Sequence, residues 1–427
     1  MPFTRRRVLQ GLGAVSVAGL TALAGCSSSC PDADRPDPES IVSFRDEPVG
    51  PFETPPSGIW NGPHAEAGNR GYADGALPTD GLGVRWRTDL DLPPTDTGGL
   101  SASAPTVGDG AVFVADERRV HALSVGTGEI AWRSDPLPPT GQDTIDESEA
   151  RTTSPAVGPT GTVYVGTTDG LVALDGADGS VRWRVDDLID VASPAVLDGT
   201  VYALGAESLV AVGTDGTERW RRSARRQRGV TPPAVGGDRL VYASDASVVA
   251  VDVTTGEEVW ERDRQTTSYP VIDGDTCFVG NAEGLHALDT GTGTDRWTFT
   301  RGDYRALVSP VLTPDTIYAV ERPGEAGAAT YALEREDGEP SPRWCSYVGS
   351  GAVTAATDAM ALTILSLGEG PKATQSVVAF SANRGETHWA LEAGSHPRQW
   401  VTPPAVVDGA VVATTRGGTT VAFGGTN

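Results

Sequence analysis

Ser154-Pro155-Ala156-Val157, Gly161, Val163-Tyr164-Val165-Gly166, Asp169-Gly170, Leu171-Val172-Ala173-Leu174-Asp175, Gly179 and Trp183 together hold one complete structural unit. A proline and an apolar pair open it, a glycine turn follows, two apolar runs flank an Asp-Gly pair, and a second glycine turn leads to the tryptophan. Apolar runs this short, bounded by Gly and Asp, are strands joined by tight turns. The unit therefore reads as four antiparallel strands.

The unit recurs along the chain. Tryptophans stand at Trp86, Trp132, Trp183, Trp220, Trp260, Trp297, Trp344 and Trp389, at intervals of 46, 51, 37, 40, 37, 47 and 45 residues, and periods of that size mark propeller blades or solenoid units. All but Trp86 follow a glycine by three to six residues (Gly128, Gly179, Gly216, Gly256, Gly293, Gly338, Gly385) and an alanine by nine to twelve (Ala122, Ala173, Ala211, Ala250, Ala287, Ala332, Ala379). Folding about the glycine turn brings each alanine beside its tryptophan across a hairpin, where the small side chain leaves room for the indole. Opening prolines recur at Pro105, Pro194, Pro233, Pro270, Pro310 and Pro404, while the seventh repeat has Thr354-Ala355-Ala356 in that place.

The two ends complement each other. The last repeat supplies Ala422 but ends before its tryptophan, and Trp86 has no alanine of its own. Residues 84–88 are therefore expected to be the outer strand of the last repeat. The predicted fold is all-β, an eight-bladed β-propeller of four-stranded antiparallel blades closed by an N-terminal strand, over residues 59–427.

The chain of 427 residues carries 53 glycines and 31 prolines, which excludes long helices almost everywhere. Lys+Arg 33 against Asp+Glu 57 gives a net charge of −24. That balance opposes nonspecific binding to nucleic acid or to an anionic membrane surface. Lys372 is the only lysine. Such an acidic, lysine-poor surface is similar to that of proteins from salt-loving archaea, where excess carboxylates are screened by concentrated salt.

At the amino end, Thr4-Arg5-Arg6-Arg7-Val8-Leu9 fits a twin-arginine export signal, with Arg5 and Arg6 as the pair and a modestly apolar run over residues 8–25. Leu23-Ala24-Gly25-Cys26 resembles a lipobox, so residues 1–25 are expected to be removed and Cys26 to carry lipid outside the cytoplasmic membrane. Residues 26–58, rich in Pro, Asp, Glu and Ser, read as a disordered spacer. Cys30 lies in that spacer; Cys277 and Cys345 lie in strand-like runs and read as small buried hydrophobes rather than a disulfide. His64, His121, His286, His388 and His396 are scattered without metal-ligand spacing and read as structural or surface residues.

The repeats resemble those of the pyrroloquinoline-quinone-type β-propellers, with an Ala-x-Asp-x-x-x-Gly-x-x-x-Trp core to which Ala173-Leu174-Asp175, Gly179 and Trp183 are close. Residues 60–72, with Asn69 and Gly71, resemble the lead-in segment before such propellers. Quinoprotein dehydrogenases of this fold carry quinone and calcium beside two adjacent, bonded cysteines; this chain has no Cys-Cys pair. No catalytic, cofactor or metal residue is transferred, and the repeated Asp175, Asp252 and Asp289 read as turn formers. The fold, anchor and missing quinone site are also similar to the propeller lipoprotein of the bacterial outer-membrane assembly machine, which binds a partner protein.

The longest connections, residues 134–151, 390–401, 321–330 and 366–375, link successive blades or second to third strands. In an antiparallel blade these connections emerge on one face, which becomes the expected binding mouth. A blade-linking segment there carries Arg221, Arg222, Arg225, Arg226 and Arg228. These arginines suit an acidic partner, a glycan acid or a phosphorylated ligand through bidentate contacts, or are a solvated loop paired with neighbouring carboxylates. The leading functional expectation is a noncatalytic, monomeric, lipid-anchored surface propeller binding an unknown protein partner without a cofactor. The alternative is a quinone-dependent or other oxidoreductase with an atypical site.

Overall fold

The computed structural model describes residues 30, 38–92, 102–140, 153–225, 232–266, 268–300, 306–307, 310–322, 329–335, 338–347, 353–367, 374–394, 399 and 401–426. Eight antiparallel four-stranded units form the blades, the seventh carrying an added edge strand and the sixth a first strand in two pieces. Blade two, for example, comprises Ala156–Val157, Val163–Thr167, Gly170–Leu174 and Val181–Asp186, from first to outer strand. The second and third strands are buried along their whole length in this blade because their apolar side chains meet neighbouring blades on both faces. Blade eight takes Ala405–Val407, Ala410–Thr414 and Thr419–Gly425 from the carboxyl end and Leu82–Asp89 from the amino end. The expected ring closure is present, with Leu82 opposite Gly425 and Asp89 opposite Thr419.

Every predicted alanine–tryptophan pair is in register, from Ala122 with Trp132 through Ala379 with Trp389 to Ala422 with Trp86. A register shift accompanies each pair. The bulge frees the residue before the tryptophan from the ladder and re-aims it. In several blades that residue is an arginine that reaches a threonine at or just before the start of the second strand, as Arg182 does to Thr162 at 2.8 Å and Arg343 to Thr316 at 3.2 Å. Arg182 and Arg296 also bind Asp175 and Asp289. Asp175 and Asp289 thus brace turns, as read from the repeat.

Tryptophan does a second task between blades. The Trp132 indole donates to Gly176 O of the next blade at 2.8 Å, and a side-chain carbon at Gly179 would lie 2.5 Å from the same ring. Gly179 also has φ +75°, where a side chain is strained. Trp86, Trp183, Trp220, Trp260 and Trp344 repeat the arrangement on Gly128, Gly216, Gly256, Gly293 and Gly385. Gly338 departs from it, since a carbon added there meets nothing within 4 Å. Gly179→Ala is therefore expected to cost above about 2 kcal/mol, from strain plus overlap, and Gly338→Ala no more than about 0.5 kcal/mol. Denaturant midpoints of the two variants check the difference.

The spacer departs from the expectation of disorder in its second half. Cys30 is disulfide-bonded to Cys345 in the outer strand of blade six, with Cα atoms 5.4 Å apart. This corrects the reading of Cys345 as an unpaired hydrophobe; Cys277 remains a free, buried thiol. Ile41–Ser43 then adds in parallel to the outer strand of blade seven, Thr387–Gly394. Phe44 packs on Phe423 at 5.0 Å, Val49 N donates to Val84 O at 2.9 Å, and Phe52 N donates to Gly126 O of blade one at 3.1 Å. A Pro- and acid-rich segment with too few apolar groups to fold alone is ordered here by borrowing the rim of the propeller.

Candidate functional site

The channel has two dissimilar ends. At the end holding the first-to-second-strand turns, residues 57–76 run around the inside of the ring and bond to the inner strands of six blades and the first turn of blade eight. Trp60 pairs with Val107 of blade one, and Val157 N of blade two donates to Asn61 O at 2.9 Å. Blades four, five, six and seven follow: Val235, Ile272, Leu312 and Ala356 donate to Ala67, Gly68, Arg70 and Gly71 at 2.7 to 2.9 Å. Gly409 N of blade eight donates to Ala76 O at 2.9 Å. Small residues permit this close passage, since a side-chain carbon at Gly68 would sit 2.5 Å from Ile272 O.

Side chains of the segment fill the space inside. Trp60, His64, Ala65, Ala67 and Asn69 are buried. The Asn69 amide donates to Pro233 O at 3.1 Å and Pro270 O at 3.2 Å, joining blades four and five. His64 stacks on Tyr269 with ring centroids 4.0 Å apart, and Nδ1 lies 3.0 Å from the tyrosine hydroxyl. Burial pushes the His64 imidazole down to about 3, so it is neutral at ordinary pH. The Glu66 carboxylate accepts from Gly68 N and Arg70 N, and Arg70 reaches Asp273 of blade five at 3.2 Å. His64 was placed among scattered histidines by sequence; the run of glycines and alanines around it was the available sign of a crowded path.

The opposite end gathers the blade-linking segments and the second-to-third-strand turns, as loop lengths implied. Leu137 N and Thr140 N, in the link after blade one, donate to Arg118 O and Glu117 O of that blade's turn, and Thr168 N of blade two donates to Pro139 O. The turn of blade one is held by Asp116, whose carboxylate accepts from Arg118 N, Arg119 N and the buried His121 ring at 2.7 Å. Burial alone would raise the Asp116 pKa, but the bonds from His121 and the two amides hold it below the usual carboxylate range. His286 and Asn281 repeat the pair in blade five at 3.0 Å. Exposed turn tips at this mouth include Glu117, Asp169, Glu207, Asp245 and Glu283.

The expected basic segment is only partly a loop. Arg221 and Arg222 lie in the outer strand of blade three, Glu218–Ser223, and Arg225 is exposed just beyond it. Arg226 and Arg228 lie outside the described residues, as do Arg5, Arg6 and Cys26. Arg221 pairs with Glu218 at 2.7 Å, and Arg222 donates to Thr255 O of blade four at 2.6 Å. Parts of three expected loops are also strand: Met360–Leu367 pairs with Thr374–Ser381 as far as Leu367 opposite Thr374, Thr316–Arg322 pairs with Ala329–Glu334, and Thr387–Gly394 takes in the first residues of the expected loop 390–401.

The cysteines do not form an adjacent, bonded pair. The disulfide joins positions 315 residues apart on the rim, and burial pushes the Cys277 thiol up to about 12, leaving it protonated and unreactive. Among the described residues, no three His, Cys, Asp or Glu side chains converge to hold a cation.

Comparison with known proteins gives the same architecture. The outer membrane protein assembly factor BamB of Yersinia pestis is 24% identical over 347 residues, covering 72% of this chain and 84% of that protein. The crystal structure of BamB from Moraxella catarrhalis superposes with a TM-score of 0.54 at 16% identity, covering 79% of this chain and 99% of that one. A quinohemoprotein alcohol dehydrogenase from Pseudomonas putida HK5 gives 0.59 at 17% identity, covering 86% and 80%. At such identities the two structures share the fold alone. The family described as outer membrane protein assembly factor BamB matches residues 116–344, more than half of the sequence, and the chain belongs to that family.

Proposed function

We propose that this protein is a noncatalytic, lipid-anchored propeller that holds a protein partner at the channel mouth opposite residues 57–76, on the outer side of the cytoplasmic membrane. The observation that carries the reading is the division of labour between the two mouths: one is taken by the chain's own backbone, bonded to seven blades, and the other gathers the links and turns. A rigid ring that presents turns from many blades on one rim suits protein recognition. Kinship with BamB supports the same mode of action. The anchor rests on Cys26 and the export route on Arg5 and Arg6. Arg225, with Arg226 and Arg228, supplies positive charge to an acidic partner; Arg221 and Arg222, already bound to Glu218 and Thr255, brace the strand behind them.

Affinity capture of the mature protein from its native membranes in high salt tests the reading, with Arg225→Glu/Arg226→Glu as the comparison. The variant is expected to keep its unfolding midpoint and to release the captured partner at least tenfold faster. Unchanged dissociation removes the arginines from the site. Quinone-like absorbance and dye-linked dehydrogenase activity after incubation with pyrroloquinoline quinone and calcium would instead favour the oxidoreductase reading.

A further inference from the structure

The disulfide and the lipid-bearing cysteine stand close in sequence, and that spacing has a mechanical result. Cys30 lies four residues after Cys26 and is bonded to Cys345, in the outer strand of blade six. We propose that the Cys30–Cys345 bond converts the amino-terminal spacer into a short leash that stands the propeller, blade-six rim first, against the lipid surface. The inference rests on the anchor at Cys26 set out above.

Chain geometry sets the limit. Four residues, fully extended, span about 14 Å. Without the bond, the first attachment of the chain to the propeller among the described residues is the turn Pro38–Ser40 leading into the strand Ile41–Ser43, and the twelve residues from Cys26 to Pro38 reach about 40 Å. The bond itself is well seated: Cys30 is buried in a cluster with Phe299 of blade five and Tyr331 of blade six, against which Cys345 packs. The attachment point therefore belongs to a rim of the ring and to neither mouth. In a ring of eight, blade two stands opposite blade six and faces away from the lipid, while the channel axis lies along the membrane plane. Both mouths then open sideways, and the partner-binding mouth meets proteins held at the same membrane. The net charge of −24 does not hold this rim off an anionic surface in concentrated salt, where the Debye length is about 3 Å at 1 M.

The test places the full, lipid-bearing chain on a supported bilayer of phosphatidylcholine with phosphatidylglycerol in 2 M salt and reads the gap between bilayer and protein by neutron reflectometry. The wild-type gap is expected within about 14 Å. Twelve Gly/Ser residues inserted between Ser29 and Cys30 should about double the mean length of the leash and widen the gap. The same twelve residues inserted between Asp34 and Arg35, beyond the bond, should leave it unchanged. Cys345→Ser should behave like the first insertion, while both insertion variants retain the bond and the fold. Equal gaps for the two insertions overturn the proposal. A bilayer bearing no protein layer overturns the anchor reading itself, and the leash with it.

Discussion

Removing Leu82–Asp89 is expected to abolish the single cooperative unfolding transition and to convert the protein into oligomers. This strand supplies the whole outer edge of blade eight, in register from Leu82 with Gly425 to Asp89 with Thr419. It also carries Trp86, buried against Gly128 of blade one with its indole donating to Val125 O at 2.8 Å. Truncation of a buried tryptophan alone costs about 3–5 kcal/mol. Loss of the surrounding ladder adds to that and exhausts a native stability of about 5–15 kcal/mol. Thr419–Gly425 would then present an unpaired apolar edge, which invites pairing between chains. Trp86→Ala, which keeps the strand, should unfold cooperatively with the stability lowered by the smaller figure. Guanidinium unfolding and size exclusion in high salt check both. A monomeric deletion variant with an unchanged midpoint would show that the ring does not depend on this closure.

Acid should destabilise the protein through His64. Its imidazole is held at about 3 by burial in the folded chain and titrates near 6.5 when unfolded. Between those values the unfolded state binds the extra proton, so stability is full above about pH 6.5 and falls as pH drops toward 3. The slope approaches about 1.4 kcal/mol per pH unit, or about 4 kcal/mol over three units. His64→Gln keeps an acceptor for the Tyr269 hydroxyl but does not titrate. Unfolding free energies at pH 7.5 and 4 in concentrated salt should therefore differ by about 3 kcal/mol more in the parent than in the variant. Carboxylates such as Asp116 titrate in both proteins and cancel in the comparison. Parallel pH profiles would place the acid sensitivity elsewhere.

The repeat was legible because its signal is local. Alanine and tryptophan lie about ten residues apart on one hairpin, and all eight pairs appear in the structure, including the one made from opposite ends of the chain. The packing of each tryptophan on the following blade was not legible from the same residues. The glycine before a tryptophan was read as serving its own hairpin, yet Gly179 receives Trp132 from the preceding repeat. Gly338 carries the same sequence mark but meets no ring, so identical spelling serves different contacts. The path of residues 57–76 and the Cys30–Cys345 bond lie beyond reach for a further reason: each is made once, without a period, between positions far apart in the chain. The basic segment was half-legible. Charge density marked the segment, while its division between a strand and the residues after it depended on a boundary that arginine does not set.

The inner circuit of residues 57–76 and the closing strand after it also govern the order of events during synthesis. Both leave the ribosome before any blade, yet the last of their partners arrive at the end: Ala76 waits for Gly409, and Leu82 for Gly425. At about 5–20 residues per second, the interval from Leu82 to its partner is between about 15 s and a minute. Trp60 and Trp86 meet their blade-one partners, Val107 and Gly128, early in that interval, while the closing strand stays without its ladder until Thr419–Gly425 is made. Such long-range pairing makes folding slow, since many loops must close before a contact is made. Closure consequently waits for Leu82–Asp89 to pair with Thr419–Gly425, and a chain lacking Thr419–Gly425 would be trapped just short of it.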